Sequence, residues 1–98
     1  MKNPETIIED AFCLWLRDEY PFPALALKLA HFAGGGFPDR TVLSRGRIIF
    51  IEFKVPGRRL DPLQKLWFKR LRQLGMKCYV CTDVKKARRC VERTMGST

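Results

Sequence analysis

Three charged side chains in this chain stand where burial is expected. Asp39 sits in Gly36-Phe37-Pro38-Asp39, while Glu52 and Lys54 close the run Ile48-Ile49-Phe50-Ile51-Glu52-Phe53-Lys54. That run is β-branched and aromatic and follows the turn signal Ser44-Arg45-Gly46, so it reads as a buried strand. Residues two apart on a strand share a face, which puts Glu52 beside Lys54. Burying charge against a core is costly unless something compensates. A hard divalent cation and a phosphate would do so. Mg²⁺ takes oxygen ligands, keeps several waters, and uses one or two protein carboxylates plus a phosphate. Asp39 and Glu52 are candidates for that pair, because the chain between them is long enough for one strand, a turn and the next strand. Lys54 would then stand where negative charge builds on a phosphate under attack. Taken singly, each residue has a plainer reading: a turn aspartate, and an ion pair on an exposed strand edge.

The bulk charge points the same way. Nineteen Lys and Arg stand against ten Asp and Glu in 98 residues, a net charge of +9. That favours a polyanionic partner, nucleic acid ahead of an anionic membrane. The length suits one domain, residues 1–98, with one modest core. No apolar stretch approaches the roughly 20 residues of a membrane span. Met1 to Asp10 is too polar for a signal peptide. The expectation is an intracellular protein whose four cysteines stay reduced.

The elements that must position these residues follow from local signals. Asn3-Pro4-Glu5 opens a helix, with Asn3 as N-cap and Pro4 in the first turn. Ile7, Ile8, Ala11, Phe12, Trp15 and Leu16 form its apolar stripe, and Pro21 and Pro23 bound it. Ala24 to Ala30 reads as a first strand, Gly34-Gly35-Gly36 as a loop, Arg40 to Leu43 as a second strand and Arg47 to Lys54 as a third. Asp61-Pro62-Leu63-Gln64 opens a helix that runs to Leu74 and stops at Gly75, with Leu63, Leu66, Trp67, Leu71 and Leu74 as its buried stripe. Lys77 to Thr82 is a fourth strand, Asp83 to Arg93 a last basic helix, and Met95 to Thr98 a frayed end. The fold class is α/β, a mixed four-stranded sheet flanked by helices in the order α-β-β-β-α-β-α. Its last strand lies parallel to the third through a right-handed crossover.

Several other motifs carry less. Cys78-Tyr79-Val80-Cys81 has CxxC spacing, but on a strand an i, i+3 pair faces opposite ways. Structural zinc needs two more ligands, and Cys13, His31 and Cys90 lack paired spacing. These cysteines read as small buried hydrophobes and His31 as a surface residue. Gly34 to Gly36 lacks the Gly-Lys-Ser/Thr of a P-loop, and its freedom from Cβ could let a phosphate backbone come close. Arg45, Arg47, Arg58, Arg59, Lys65 and Lys69 are candidate DNA phosphate contacts flanking the site.

Pro38-Asp39 followed by Glu52-Phe53-Lys54 resembles the PD-(D/E)XK nucleases. More narrowly, the chain looks like a stand-alone VRR-NUC domain, a group found in phages and bacteria and fused to larger repair nucleases in eukaryotes. The likeness takes in the N-terminal Glu-bearing helix, the Gly-rich stretch before Pro38-Asp39, the Glu-x-Lys strand and Gln64-Lys65-Leu66-Trp67 opening the next helix. It implies a restriction-endonuclease-like core in which Asp39 and Glu52 hold Mg²⁺ or Mn²⁺, the carbonyl of Phe53 also reaches the metal, and Lys54 assists hydrolysis. It matches the family's Gln to Gln64, which also reads as half of a capping box with Asp61. It matches a helix-one glutamate near the metal to Glu9, with Glu5 as rival. The implied activity is hydrolysis of DNA phosphodiesters, as a structure-specific endonuclease on branched DNA such as four-way (Holliday) junctions. The implied assembly is a homodimer, with Trp15, Phe22, Phe32, Phe37 and Phe68 available for its interface.

Overall fold

A computed structural model describes residues 2–97. Helix α1 (Pro4–Asp18) begins on Asn3, whose side chain accepts the Thr6 N–H, with Pro4 in the first turn. Strand β1 (Ala24–Leu27) follows, then a single helical turn, α2 (Ala30–Ala33), where the sequence had suggested that the strand continues. Strands β2 (Arg40–Ser44) and β3 (Arg47–Phe53) form a hairpin. Its two-residue loop, Arg45-Gly46, has φ of 54° and 75°, the geometry that matches the right-handed twist of the strands. Helix α3 (Pro62–Gln73), strand β4 (Lys77–Cys81) and helix α4 (Val84–Met95) complete the chain.

The sheet order is β1-β2-β3-β4. The first two pairings are antiparallel and β3–β4 is parallel, as the α-β-β-β-α-β-α reading requires. One face packs on α1 and α4 through Phe12, Trp15, Leu16, Val42, Ile49, Ile51, Phe53, Cys81 and Val91. The other packs on α3 through Phe50, Phe68, Leu71 and Cys78. Cys78 and Cys81 therefore lie on opposite faces, which rules out a shared CxxC metal site.

Three expectations need correction. In α3 the buried residues are Phe68 and Leu71, whereas Leu63, Leu66 and Leu74 are exposed, because the helix turns the Phe68 flank rather than its leucine-rich one toward the sheet. In α1, Ile7 and Ala11 are also exposed. Met95 is 2% exposed and ends α4 inside the core instead of fraying, and Thr98 lies outside the described residues.

Candidate active site

The β2–β3 register decides where the charges meet. Arg40 pairs with Ile51, so one step further Asp39 falls opposite Glu52. The Asp39 Oδ2 accepts the backbone N–H of Phe53 at 2.8 Å, which ties the end of one strand to the next. Glu52 and Lys54, both buried, share the α3 side, with Lys54 Nζ 3.7 Å from Glu52 Oε2. The Lys54 N–H is itself held by the Cys81 carbonyl of β4 at 3.1 Å.

Gln64 reaches this cluster from α3 and uses both ends of its amide. Its Oε1 accepts the Asp61 N–H at 2.9 Å, while the Asp61 side chain accepts the Gln64 N–H at 3.0 Å. Its Nε2 donates to Glu52 Oε2 at 3.0 Å. Capping box and site support, left open by the sequence, are both present in one side chain.

The approach of α3 to the site depends on Gly36. It has φ +87°, and a Cβ there would stand 2.6 Å from the Leu63 backbone carbon. This glycine makes room for the helix, whereas Gly34 faces open space. Trp67 Nε1 donates to the Gly35 carbonyl at 3.2 Å, and the Phe37 ring stands edge-on to those of Phe50 and Trp67. The loop leading to Asp39 is thus fastened to α3.

The electrostatics are those of a site short of positive charge. Burial first, and then neighbouring Asp39, push the Glu52 carboxyl up to about 8, against the pull of Lys54. Burial likewise raises the Asp39 carboxyl, against the Phe53 N–H bond that lowers it. Glu52 Oε1 is buried and has no hydrogen-bond partner, and neither has Thr41 Oγ1, which belongs to the residue two beyond Asp39. An orphaned carboxylate oxygen beside a second carboxylate suits a hard cation with oxygen ligands. Among the described residues no group of three or more His, Cys, Asp or Glu could form a denser site, so waters and a phosphate would complete the coordination.

Glu9 lies buried on α1, and its Oε2 is 2.6 Å from Arg40 Nε and 3.5 Å from Lys28 Nζ. Arg40 also donates to the Ala26 carbonyl at 3.0 Å. Glu9 is close enough to add to the upward push on Asp39, but its oxygen is engaged by cations. Sequence reasoning missed Arg40 and Lys28. No motif spacing links Arg40 to a partner 31 residues earlier, and the one available signal was a charge opening a strand otherwise bound for the core.

The basic candidates divide. Arg45 and Arg47 sit at the hairpin turn, about 17 Å from Glu52 at the usual strand rise, and do not flank the site. Arg45 donates to the Met95 carbonyl at 2.9 Å and lies over the Phe22 ring at 3.9 Å, contacts that offset its left-handed backbone. Arg58 and Arg59 are exposed in the loop after β3, and Arg58 lines a cleft with Asn3, Glu5 and Val55. Lys65 and Lys69, with Leu60 and Arg72, line a second cleft on α3.

A mixed four-stranded sheet that joins an aspartate, a glutamate and a lysine two residues on defines a nuclease of the PD-(D/E)XK type. The chain belongs to the VRR-NUC family: the family model described as "VRR-NUC domain" matches residues 22–85. That span holds Asp39, Glu52, Lys54 and Gln64 but begins after α1, and so excludes Glu9. A solved structure described as a VRR_NUC domain is 25% identical, with a TM-score of 0.79, and the match covers 93% of this chain and 97% of that one. No curated protein matches. No helix among the described residues is long and apolar enough to cross a membrane.

Proposed function

We propose that residues 1–98 act as one domain, a Mg²⁺- or Mn²⁺-dependent endodeoxyribonuclease that works as a homodimer on branched DNA such as four-way junctions. The observation that carries the metal dependence is the buried, unpartnered Glu52 Oε1 beside Asp39. Asp39 and Glu52 would hold the cation, with the carbonyl of Phe53, the residue after Glu52, as a further oxygen. When bound, the metal makes a coordinated water acidic and offsets charge on the phosphate. Gln64 fixes the orientation of Glu52 through Oε2, and Lys54 adds a positive charge that does not depend on the metal.

Support for a dimer comes from apolar surface left without an intramolecular partner. Leu25, Leu43 and Ile48 stand in register across β1, β2 and β3, and Leu25 and Ile48 are exposed. They line a cleft at the hairpin end of the sheet. The aromatic residues first considered for an interface are mostly spoken for: Trp15 and Phe68 are buried, Phe22 and Phe37 pack against the two clusters, and only Phe32 is largely exposed. Two copies would place two sites about a two-fold axis, as opposed cuts on two strands require.

The test is a digestion series on linear, nicked, flap and four-way DNA with Mg²⁺, with Mn²⁺ and with EDTA, beside sedimentation of the protein. Metal-dependent cutting of the junction in preference to linear duplex, by a particle of twice 11.4 kDa, is expected. Full activity in EDTA would sink the metal reading, and a monomer indifferent to branching would sink the dimeric, branch-selective one.

A further inference from the structure

Phe32 is 87% exposed, the most exposed of the large apolar side chains among the described residues. Its position in the chain is specific. Strand β1 ends at Leu27, opposite Thr41, so the segment from Lys28 to Asp39 leaves and re-enters the sheet at the active-site end. That segment is fastened near both of its ends and in the middle. Lys28 Nζ lies 3.5 Å from Glu9, the Gly35 carbonyl accepts from Trp67, and Asp39 accepts from Phe53. Between these ties, α2 buries none of its residues, and the Phe32 N–H is bonded to the Leu29 carbonyl at 3.0 Å. The turn leaves the ring exposed in the segment that joins β1 to Asp39 at the active-site end of the sheet, and among the described residues no aromatic partner is found for it, whereas Phe12, Phe22, Phe37 and Phe53 each pack against another ring.

We propose that Phe32 stacks on an unpaired base of the DNA next to the phosphate being cut. The inference rests on the nuclease reading above and supplies a physical source for its selectivity. A phenyl ring has no charge to offer a phosphate, but its face matches the π-face of any base, which is why such stacking tolerates sequence. In a continuous duplex the bases are already stacked on one another and their faces are covered. A ring at the active-site edge finds a free face only where pairing is interrupted, at a branch, flap or nick, or where it wedges a step apart. His31, beside it in the chain, is exposed, and Lys28 at the start of the same segment is half-exposed. Both can reach the backbone of the displaced nucleotide while the ring holds its base.

The experiment uses the full chain with Ca²⁺ in place of Mg²⁺, to keep complexes uncut, and a four-way junction carrying 2-aminopurine at the crossover. The comparator is a fully paired duplex of the same sequence. The parent protein should change the 2-aminopurine fluorescence on binding. Phe32→Ala should remove that change and weaken junction binding about tenfold, within the range lost with one base–aromatic stack, while duplex binding holds. Phe32→Trp should restore both. An unchanged melting curve for Phe32→Ala is expected, since the ring is not part of the core. Junction binding by Phe32→Ala equal to the parent's overturns the proposal, and so does an equal loss on junction and duplex. A shift in sedimentation for Phe32→Ala also overturns it, because the ring would then belong to a protein contact. Absence of Mg²⁺-dependent cleavage by the parent would defeat the nuclease reading instead, a separate outcome.

Discussion

Two buried glutamates, Glu9 and Glu52, show how differently one residue type is used within a few elements of the same fold. Both are almost fully inaccessible, at 6% and 4%. Glu9 meets a guanidinium at 2.6 Å and an ammonium at 3.5 Å, on the face of the sheet packed by α1. Glu52, on the α3 face, meets a neutral amide at 3.0 Å, an ammonium only at 3.7 Å and a second carboxylate. One of its oxygens has no hydrogen-bond partner. The first is an ion pair completed by the fold. The second is left incomplete by the fold, and what is missing is positive charge.

The sharpest way to break this contrast is to neutralise each side. Glu52→Gln or Asp39→Asn should cut the cleavage rate by roughly 10³-fold, the loss of several kcal/mol of transition-state stabilisation, and Lys54→Ala should also act on rate. DNA binding should hold in Glu52→Gln, and hold or tighten in Asp39→Asn, where a carboxylate facing phosphate is removed. A Glu52→Gln protein that cleaves at the parent rate would end the argument. On the other side, Arg40→Met leaves Glu9 buried with only the more distant Lys28. Denaturant unfolding should show a loss of about 3–5 kcal/mol, against little loss or a gain for Glu52→Gln in metal-free protein.

The pH dependence follows from the same asymmetry. The folded protein holds the Glu52 proton up to about 8, above its ordinary value of 4.5. The contribution of this group to stability is therefore full below pH 4.5 and is lost as pH rises through 8. Each unit of displacement corresponds to about 1.4 kcal/mol, so the metal-free melting temperature should drop over this range, and drop much less in Glu52→Gln. Mg²⁺ competes with that proton, and its stabilising effect should be larger at pH 8 than at pH 6. Equal stabilisation at both would separate the metal from Glu52. The smallest expected effect is that of Gln64→Glu. The carboxylate can still accept the Asp61 N–H but cannot donate to Glu52. The rate should fall about 10–100-fold, as is usual for a residue that orients a metal ligand, with the melting temperature nearly unchanged. An unchanged rate would reduce Gln64 to a cap.

What the sequence revealed of this molecule was mostly local in origin. Asn3-Pro4, Asp61-Pro62-Leu63-Gln64 and Arg45-Gly46 carry their structures within four residues, and the run Ile48 to Phe53 announces a buried strand by composition alone. The Asp39, Glu52 and Lys54 set was legible because strand period and hairpin length bring it together without further information. The buried flank of α3 was not, because leucines occupy more than one side of that helix and only the sheet beneath selects Phe68 and Leu71. The tie between Glu9 and Arg40 joins distant segments, and its one hint, a charge opening a core-bound strand, names no partner. Gly36 was recognisable as a special position, but its neighbour, the Leu63 backbone, appears only once α3 is docked.

The bond between the Lys54 N–H and the Cys81 carbonyl also bears on when activity can arise during synthesis. A ribosome that has delivered Asp39, Glu52 and Lys54 has made every charged residue of the site, yet the strand that holds Lys54 in line is still unmade. Because β4 pairs in parallel, it arrives only after α3 has crossed the sheet, so the working edge closes late. Stalled or broken chains ending before Cys81 should bind nucleic acid through their excess of cations and leave it uncut. Chains arrested on either side of β4 and assayed for nicking would show it. The segment that carries the charged residues of the site is thus not the one that completes it: β4 does so, more than twenty residues later.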